Sequence, residues 1–536
     1  MSTSQFPLFS ASTENLGSRI RVKDLPALGL ALLVLWRVGL IIYRVWFHPL
    51  SKFPGPRYLA ATNLPYLYRN HIKGLWVRDV ASLHRKYGPV IRIAPNRLAL
   101  DGSVGWPEVY AHRVAGKEEF SKVPGFFFNG DWRAILGAPR DIHRRQRRQL
   151  GHAFSEAAMY EQESIIKQYI DLLIEQLTKR AKSNESVDII KWLNFTTFDI
   201  IGDLTFADSF HSLSSSDYHP WVLDIFDGIR GNARRRFLDA YPLLRPLIWL
   251  TTGTEEIKKA TTQREFAMDK AKARMALGTE PGRRDFMTYM MKANREGEKG
   301  MTDMEILLNA PILIIAGSET TATALSGFFF YICRTPKAYK TLAEEIRFAF
   351  KDESEINMRS TSSLQYLHSC IEEALRVYPP AAETPPRMSP GDMITGKFVP
   401  AGTLVSVYQW ATFRNPDNFK DPDSYRPERW LPSTHPLHDP QFDDDNRSVF
   451  KPFSYGTRDC IGKNLSYSEM RVIAARMFYR FDFELDGAYD DWHETQPSFL
   501  VWEKTPLVLR LKLCDTAAGT GNQGMLTVGG NHGKVY

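Results

Sequence analysis

Two long apolar runs limit what this chain can fold into more than any other feature. From Leu25 to Tyr43, 19 residues carry one charge, Arg37. About 20 apolar residues in a helix cross a bilayer core, so this run is read as a transmembrane anchor. Arg37 at the midplane would cost about 2.5–3.5 kcal/mol. It lies two thirds of the way along, where its side chain reaches the nearer headgroups. A cleaved signal peptide fits less well, because no small-residue cleavage site follows. From Ile306 to Cys333, 28 residues carry one charge, Glu319. As a membrane span this run would hold Ser318, Glu319, Thr320 and Thr321 at its middle, with Asn309 and Pro311 before them. A buried helix tolerates such groups where they line a cavity. The second run is therefore read as the core helix of a large globular body.

With 536 residues, 43% hydrophobic and 24% charged, the chain has an ordinary globular composition and enough length for a large core. The net charge of +7 is not gathered into a basic tail. No basic stripe interleaved with aromatic residues is present, so no nucleic-acid partner is expected. The four cysteines, Cys333, Cys370, Cys460 and Cys514, form no Cys-x-x-Cys pair, which removes support for zinc or dithiol chemistry. Sparse cysteine in so long a chain points to a reducing compartment. Arg19, Arg21 and Lys23 precede the anchor and Arg44, Lys52 and Arg57 follow it, so charge alone leaves its orientation undecided.

Near the C-terminal end, Phe453-Ser454-Tyr455-Gly456-Thr457-Arg458-Asp459-Cys460-Ile461-Gly462 sets one thiol between two glycines and close to an arginine. Glycines permit a tight loop and the close approach of a flat ring. An arginine pairs with a carboxylate on such a ring, and Phe453 screens the sulfur from water. The segment resembles the haem-binding loop of the cytochrome P450 family, Phe-x-x-Gly-x-Arg-x-Cys-x-Gly, at all five fixed positions. The resemblance implies that Cys460 is the proximal iron ligand of haem b (iron protoporphyrin IX), whose thiolate favours O–O cleavage. Taken alone, a buried inert cysteine in a Gly-rich turn fits the residues equally well.

Other segments add to the resemblance. Ala316-Gly317-Ser318-Glu319-Thr320-Thr321 is similar to the family's oxygen-side helix. There, small Ala316 and Gly317 admit oxygen and substrate, while Glu319 and Thr320 handle protons. Pro311 removes a helical hydrogen bond, so the helix is expected either to start near it or to kink. Glu373 and Arg376 are i,i+3 on a helix face. With Arg429 of Pro427-Glu428-Arg429-Trp430 they resemble the family's buried structural triad, in which Phe is commoner than Trp430. His143 and Arg147, i,i+4, and Arg387 resemble the residues that hold the haem propionates, together with Arg458. Arg144, Arg145 and Arg148 are expected to face outward. With Lys451 and Lys463 they would form a basic docking patch for an acidic reductase.

The fold class expected is mainly α with small β-sheets, the cytochrome P450 fold, plus an N-terminal transmembrane helix. Strands are expected near Val90–Ile93, Leu98–Leu100, Thr403–Val407 and Leu507–Leu511. The division expected is a short segment 1–24, an anchor 25–43, a proline-rich hinge 44–57, a haem-thiolate body 58–514 and a flexible tail 515–536. By resemblance the pocket is lined from Phe126-Phe127-Phe128, helices between Phe198 and Leu250, Asn309–Thr320, Ala381–Pro385 and Ser498–Leu500. Its Phe and Leu content implies a hydrophobic small-molecule substrate. The resemblance implies a membrane-bound monooxygenase of fungal secondary metabolism, fed by NADPH-cytochrome P450 reductase. It would sit in the endoplasmic reticulum membrane as a single-pass protein with a cytosolic body. Two other readings are a haem-thiolate isomerase or dehydratase, against which the intact Glu319-Thr320 pair argues, and a non-catalytic haem-binding protein.

Overall fold

The computed structural model describes residues 25–114, 116–126, 131–241, 243, 246, 254–279, 283–292 and 300–514. The expected N-terminal segment 1–24, the tail 515–536 and Phe127-Phe128 lie outside the described residues. Helices dominate. Among the described residues, ten short strands form three sheets: β1 (Val90–Ala94), β2 (Arg97–Leu100), β3 (Ser121–Lys122), β4 (Val187–Asp188), β5 (Arg387–Met388), β6 (Asp392–Ile394), β7 (Lys397–Val399), β8 (Leu404–Val407), β9 (Phe481–Leu485) and β10 (Val508–Leu513). The largest has the order β1-β2-β8-β5-β3, the second β4-β10-β9, and β6 pairs with β7. All four expected strands are present. β3 and β5, two residues each, were too short to leave a periodic signal.

The first apolar run forms the helix Leu25–Ile42, with no buried residue, and a wider turn carries it to Phe47. Pro49 then stops it. The proline-rich segment that follows is seated on the body. Leu50 and Phe53 are buried beside β1, β2 and β8, and the Arg92 N–H donates to the Pro54 carbonyl at 2.7 Å. The Arg92 guanidinium also donates to the Arg44 carbonyl at 2.7 Å.

The second apolar run is the helix Asp303–Cys333, and most of it is buried. It does not start near Pro311. A capping box starts it eight residues earlier, where Thr302 and Glu305 satisfy one another's amides. Asn309 ties the segment ahead of Pro311 by accepting from Ile135 N–H at 2.9 Å and donating to Glu305 O at 2.8 Å. This helix packs on Ile189–Phe206, of which every residue except Lys191 is buried. The two helices approach at Gly317, where an added Cβ would lie 2.6 Å from Ile201 Cδ1. Helix packing therefore favours glycine there. Gly317 also keeps partial accessibility.

The triad forms as expected. Arg376 and Arg429 meet Glu373 at 2.7 and 3.2 Å, and all three side chains are fully buried. Trp430, where the family more often has Phe, donates its indole N–H to Glu373 at 2.9 Å. Burial alone would raise the Glu373 carboxyl, but Arg376 and Arg429 hold it below its ordinary value. Arg376 also donates to the carbonyls of Phe413, Pro422 and Ser424, which clamps the irregular chain leading to the cysteine loop. Glu373→Gln would leave two buried guanidinium groups short of charge. Its expected cost is about 3–5 kcal/mol, read as a large fall in thermal midpoint. An unchanged midpoint would remove the triad from the framework.

Candidate active site

The cysteine loop closes by a bond from Cys460 N–H to the Phe453 carbonyl at 2.8 Å. Gly456 has φ +82°, and an added Cβ would run into the Tyr110 carbonyl, so no side chain fits. The helix Lys463–Arg480 starts just after Gly462, which brings its positive end toward the sulfur. Burial pushes the Cys460 thiol up, while the Gly462 N–H and the Arg147 and Lys463 charges oppose that shift. Yet Cys460 is also an exposed residue. A group that is both desolvated and accessible faces an interior hollow. Phe453 packs on Tyr467, ring centroids 4.9 Å apart, beside the loop.

A cluster of positive charge borders this hollow. Burial and the charges of Arg458, Lys122, Arg147 and Arg387 push His143 down to about 2, so it is neutral at physiological pH. Arg458 donates to Glu119 at 2.7 Å and to Ala138 O at 3.0 Å. Arg387 lies over the Tyr110 ring at 5.1 Å. Arg458 Nε and Arg387 Nη1 are buried without a hydrogen-bond partner. Arg147 is engaged rather than open: it donates to the Asp459 carbonyl at 2.6 Å and pairs with its carboxylate. Lys122, which the sequence reading missed, sits opposite Arg387 in the β3–β5 pairing. Like charges directly opposite destabilise a sheet, and burial with the Arg387 charge lowers Lys122 well below its ordinary value. Glu119 pairs with Arg458 and Asp459 with Arg147, while Arg387 Nη1 has no hydrogen-bond partner. The three arginines outnumber these two carboxylates, which leaves this part of the wall in positive excess.

Arg144 and Arg148 are exposed as expected. Arg145 is not. It turns inward to Glu305 at 2.5 Å and to the Gly300 carbonyl at 2.7 Å, because the buried capping-box carboxylate needs a cation. It is removed from the outward patch.

Across the hollow, accessibility along the central helix centres on Ile312, Ala316 and Thr320, with Pro311, Ile315 and Gly317 also partly accessible. The spacing of four marks one face. Thr320 donates its hydroxyl proton to the Ala316 carbonyl at 2.7 Å, which leaves its oxygen lone pairs as acceptors on that face. Thr321 and Ser466 join at 3.1 Å, tying this helix to the one that follows the cysteine loop. Glu319 is buried and turned toward the C-terminal loop. It pairs with Lys504 and accepts from Thr323 at 3.2 Å, while its Oε2 has no hydrogen-bond partner. Lys504 also donates to Thr323 at 2.7 Å. No pattern in the sequence marks Lys504, since the contact spans 185 residues.

Four of the five expected pocket segments meet. Phe126, Ala233 and Arg236, Glu383 and Thr384, and Ser498 to Leu500 line one pocket with Tyr66 and His71. Leu500 has φ +107°, a strained value for a side chain.

Residues 54–510 match the Cytochrome P450 family. The chain is 42% identical to cytochrome P450 monooxygenase aclL of Aspergillus oryzae over 484 residues, 90% of this chain and 96% of that protein. It is 38% identical to an averantin hydroxylase of Dothistroma septosporum, covering 90% of each chain. It is also 38% identical to a trichothecene C-15 hydroxylase of Fusarium sporotrichioides, covering 89% and 95%. A thiolate loop, a polar helix and a mainly α body with small sheets define a haem-dependent, oxygen-incorporating oxidoreductase. This chain belongs to the cytochrome P450 family and is a monooxygenase.

The residues fit haem, because a ring with two carboxylates answers a wall in positive excess that holds orphaned guanidinium nitrogens. Gly456→Ala is expected to displace the loop from Tyr110 and abolish haem retention, read as a lost Soret band in protein of normal expression. Lys504→Met strands the Glu319 carboxylate at an expected cost of about 3–5 kcal/mol. The Lys504→Met/Glu319→Gln double variant should recover most of the lost thermal midpoint, and no recovery would show that the pair is not coupled.

Proposed function

We propose that this chain is a membrane-anchored haem-thiolate monooxygenase that oxidises a hydrophobic secondary metabolite, with electrons from NADPH through cytochrome P450 reductase. The observation that carries this reading is Cys460, desolvated yet accessible, on a hollow bordered by unbalanced cations. Haem b would supply the redox chemistry, activating dioxygen so that one atom enters the substrate and the other leaves as water. Cys460 would hold the iron, with the Gly462 amide toward its sulfur and Phe453 at its flank. His143, Arg147, Arg387 and Arg458 would hold the propionates, and the register of Lys122 adds it to that set. The Thr320 hydroxyl would accept a hydrogen bond and position a water on the accessible face of the central helix. Glu319 would feed protons once its bond to Lys504 loosens, since its second oxygen has no partner.

The division into an anchor 25–43, a hinge 44–57 and a body 58–514 is part of this reading, as is a single-pass placement in the endoplasmic reticulum membrane with the body cytosolic. The exposed, uninterrupted helix Leu25–Ile42 supports it. Exposed Arg144, Arg148 and Lys463 near the cysteine loop would receive the reductase. The averantin and trichothecene hydroxylases among the relatives favour hydroxylation as the reaction.

The test is the reduced, carbonmonoxy spectrum of the purified full chain. A red-shifted band given only by an anionic sulfur ligand is expected, and Cys460→Ala should remove it together with NADPH-dependent turnover. Turnover that survives in the variant would end the proposal.

A further inference from the structure

The pocket is not uniformly apolar. Arg236, on the helix Pro220–Asp239, lies over the Phe126 ring at 3.8 Å and donates to the Phe126 carbonyl at 2.7 Å. Its Nε is buried without a hydrogen-bond partner, as is Nη1 of nearby Arg97. Arg97 in turn lies over the Tyr66 ring at 4.7 Å. The acidic group beside these two cations is Glu383, whose carboxyl is raised by burial against the pull of Arg97, Tyr408, Ser406 and Arg236. His71 does not add to the charge: burial, Arg236 and Arg97 push it down to about 3, so it is neutral. Burial brings Arg236 itself down to about 10, which leaves it cationic at physiological pH. Arg236 and Glu383 therefore share a cavity whose other walls mix apolar Val77, Ala233 and Phe499 with polar Asn70, Thr384 and Ser498, and Arg97 adds its charge from beside Glu383. A buried cation short of partners costs free energy. It persists where a bound group completes it.

We propose that this pocket selects a substrate bearing a carboxylate on an otherwise apolar skeleton, with Arg236 donating to that carboxylate and Glu383 limiting the positive excess. The proposal rests on the monooxygenase reading above and narrows its substrate class. Arg97, pinned over Tyr66 and facing Glu383, sets the field of the pocket, whereas Arg236 sits on its lining and is the contacting group. Phe499 and Leu500, on the strained turn, would pack on the skeleton. A neutral ligand would leave Arg236 Nε unsatisfied, so discrimination comes from a missing partner rather than from a clash.

The test uses the full-length holoprotein in detergent and two probes of nearly equal shape, 9-anthracenecarboxylic acid and 9-anthracenecarboxamide. Binding is followed by the fluorescence of the probe itself. The acid is expected to bind about tenfold tighter, the size of one charge-assisted hydrogen bond. Arg236→Gln should erase that preference by weakening the acid more than the amide, and Glu383→Gln should enlarge it. Equal binding of both probes by the wild type, or a preference that survives in Arg236→Gln, would overturn the proposal. The carbonmonoxy spectrum of each sample separates the two readings. A normal red-shifted band without acid preference sinks only this inference, and an absent band in the wild type sinks the monooxygenase reading. Should Arg236→Gln fold poorly by that spectrum, Glu383→Gln decides: no gain in acid preference counts against the proposal.

Discussion

Like charges crowd one wall of the interior, and the fold holds them there. Lys122 faces Arg387 across two short strands, and Arg147 and Arg458 reach the same space. Glu119 and Asp459 offset part of their repulsion. On the proposed function the carboxylates of haem would complete the offset, and loading of haem would then be linked to stability of the fold: a group that binds only the folded state shifts unfolding toward higher temperature. The Glu373 network has the complementary task. It binds the irregular chain before the cysteine loop to a helix on the far side, so the loop is positioned by buried charge rather than by regular structure.

Much of this was legible in the chain, because the features concerned are local. The cysteine loop, the Glu373–Arg376 spacing and the apolar run of the central helix each lie within a few turns of sequence. The start of that helix was also local, in Thr302 and Glu305, a pair the sequence reading left unused. Of the two alternatives left open at Pro311, a start near it is excluded, since a proline with side-chain bonds ahead of it need not end a helix. Gly317 was recognised as a small residue by its motif, but its packing against a neighbouring helix was not legible. Only the crossing helix shows that Ile201 occupies the space a side chain would take.

What the sequence withheld are contacts between distant segments. Lys122 acquires meaning from a two-residue strand register, and Lys504 from a loop that returns across nearly the whole body. Arg145 was assigned outward on helical periodicity, and a carboxylate on another helix turned it inward. In each case a charge was redirected by a buried partner that no local pattern announces. The composition of the pocket misled in the same way. Its aromatic residues read as apolar lining, and the guanidinium groups among them come from segments far apart in the chain.

The proline-rich segment after the first helix lies against the sheet through Leu50, Phe53 and the bonds of Arg92. A tether seated in this way transmits angle as well as distance. With the helix Leu25–Ile42 in a lipid layer, the body could not swivel freely beneath it, and its tilt would be dictated by a handful of contacts. Tyr58, Leu64, Tyr68 and Ile72, exposed just beyond the tether, would then lie where the lipid surface is nearest. The same stretch of chain supplies Tyr66 and His71 to the pocket, so on that placement one piece of chain would join the lipid-facing surface to the pocket wall.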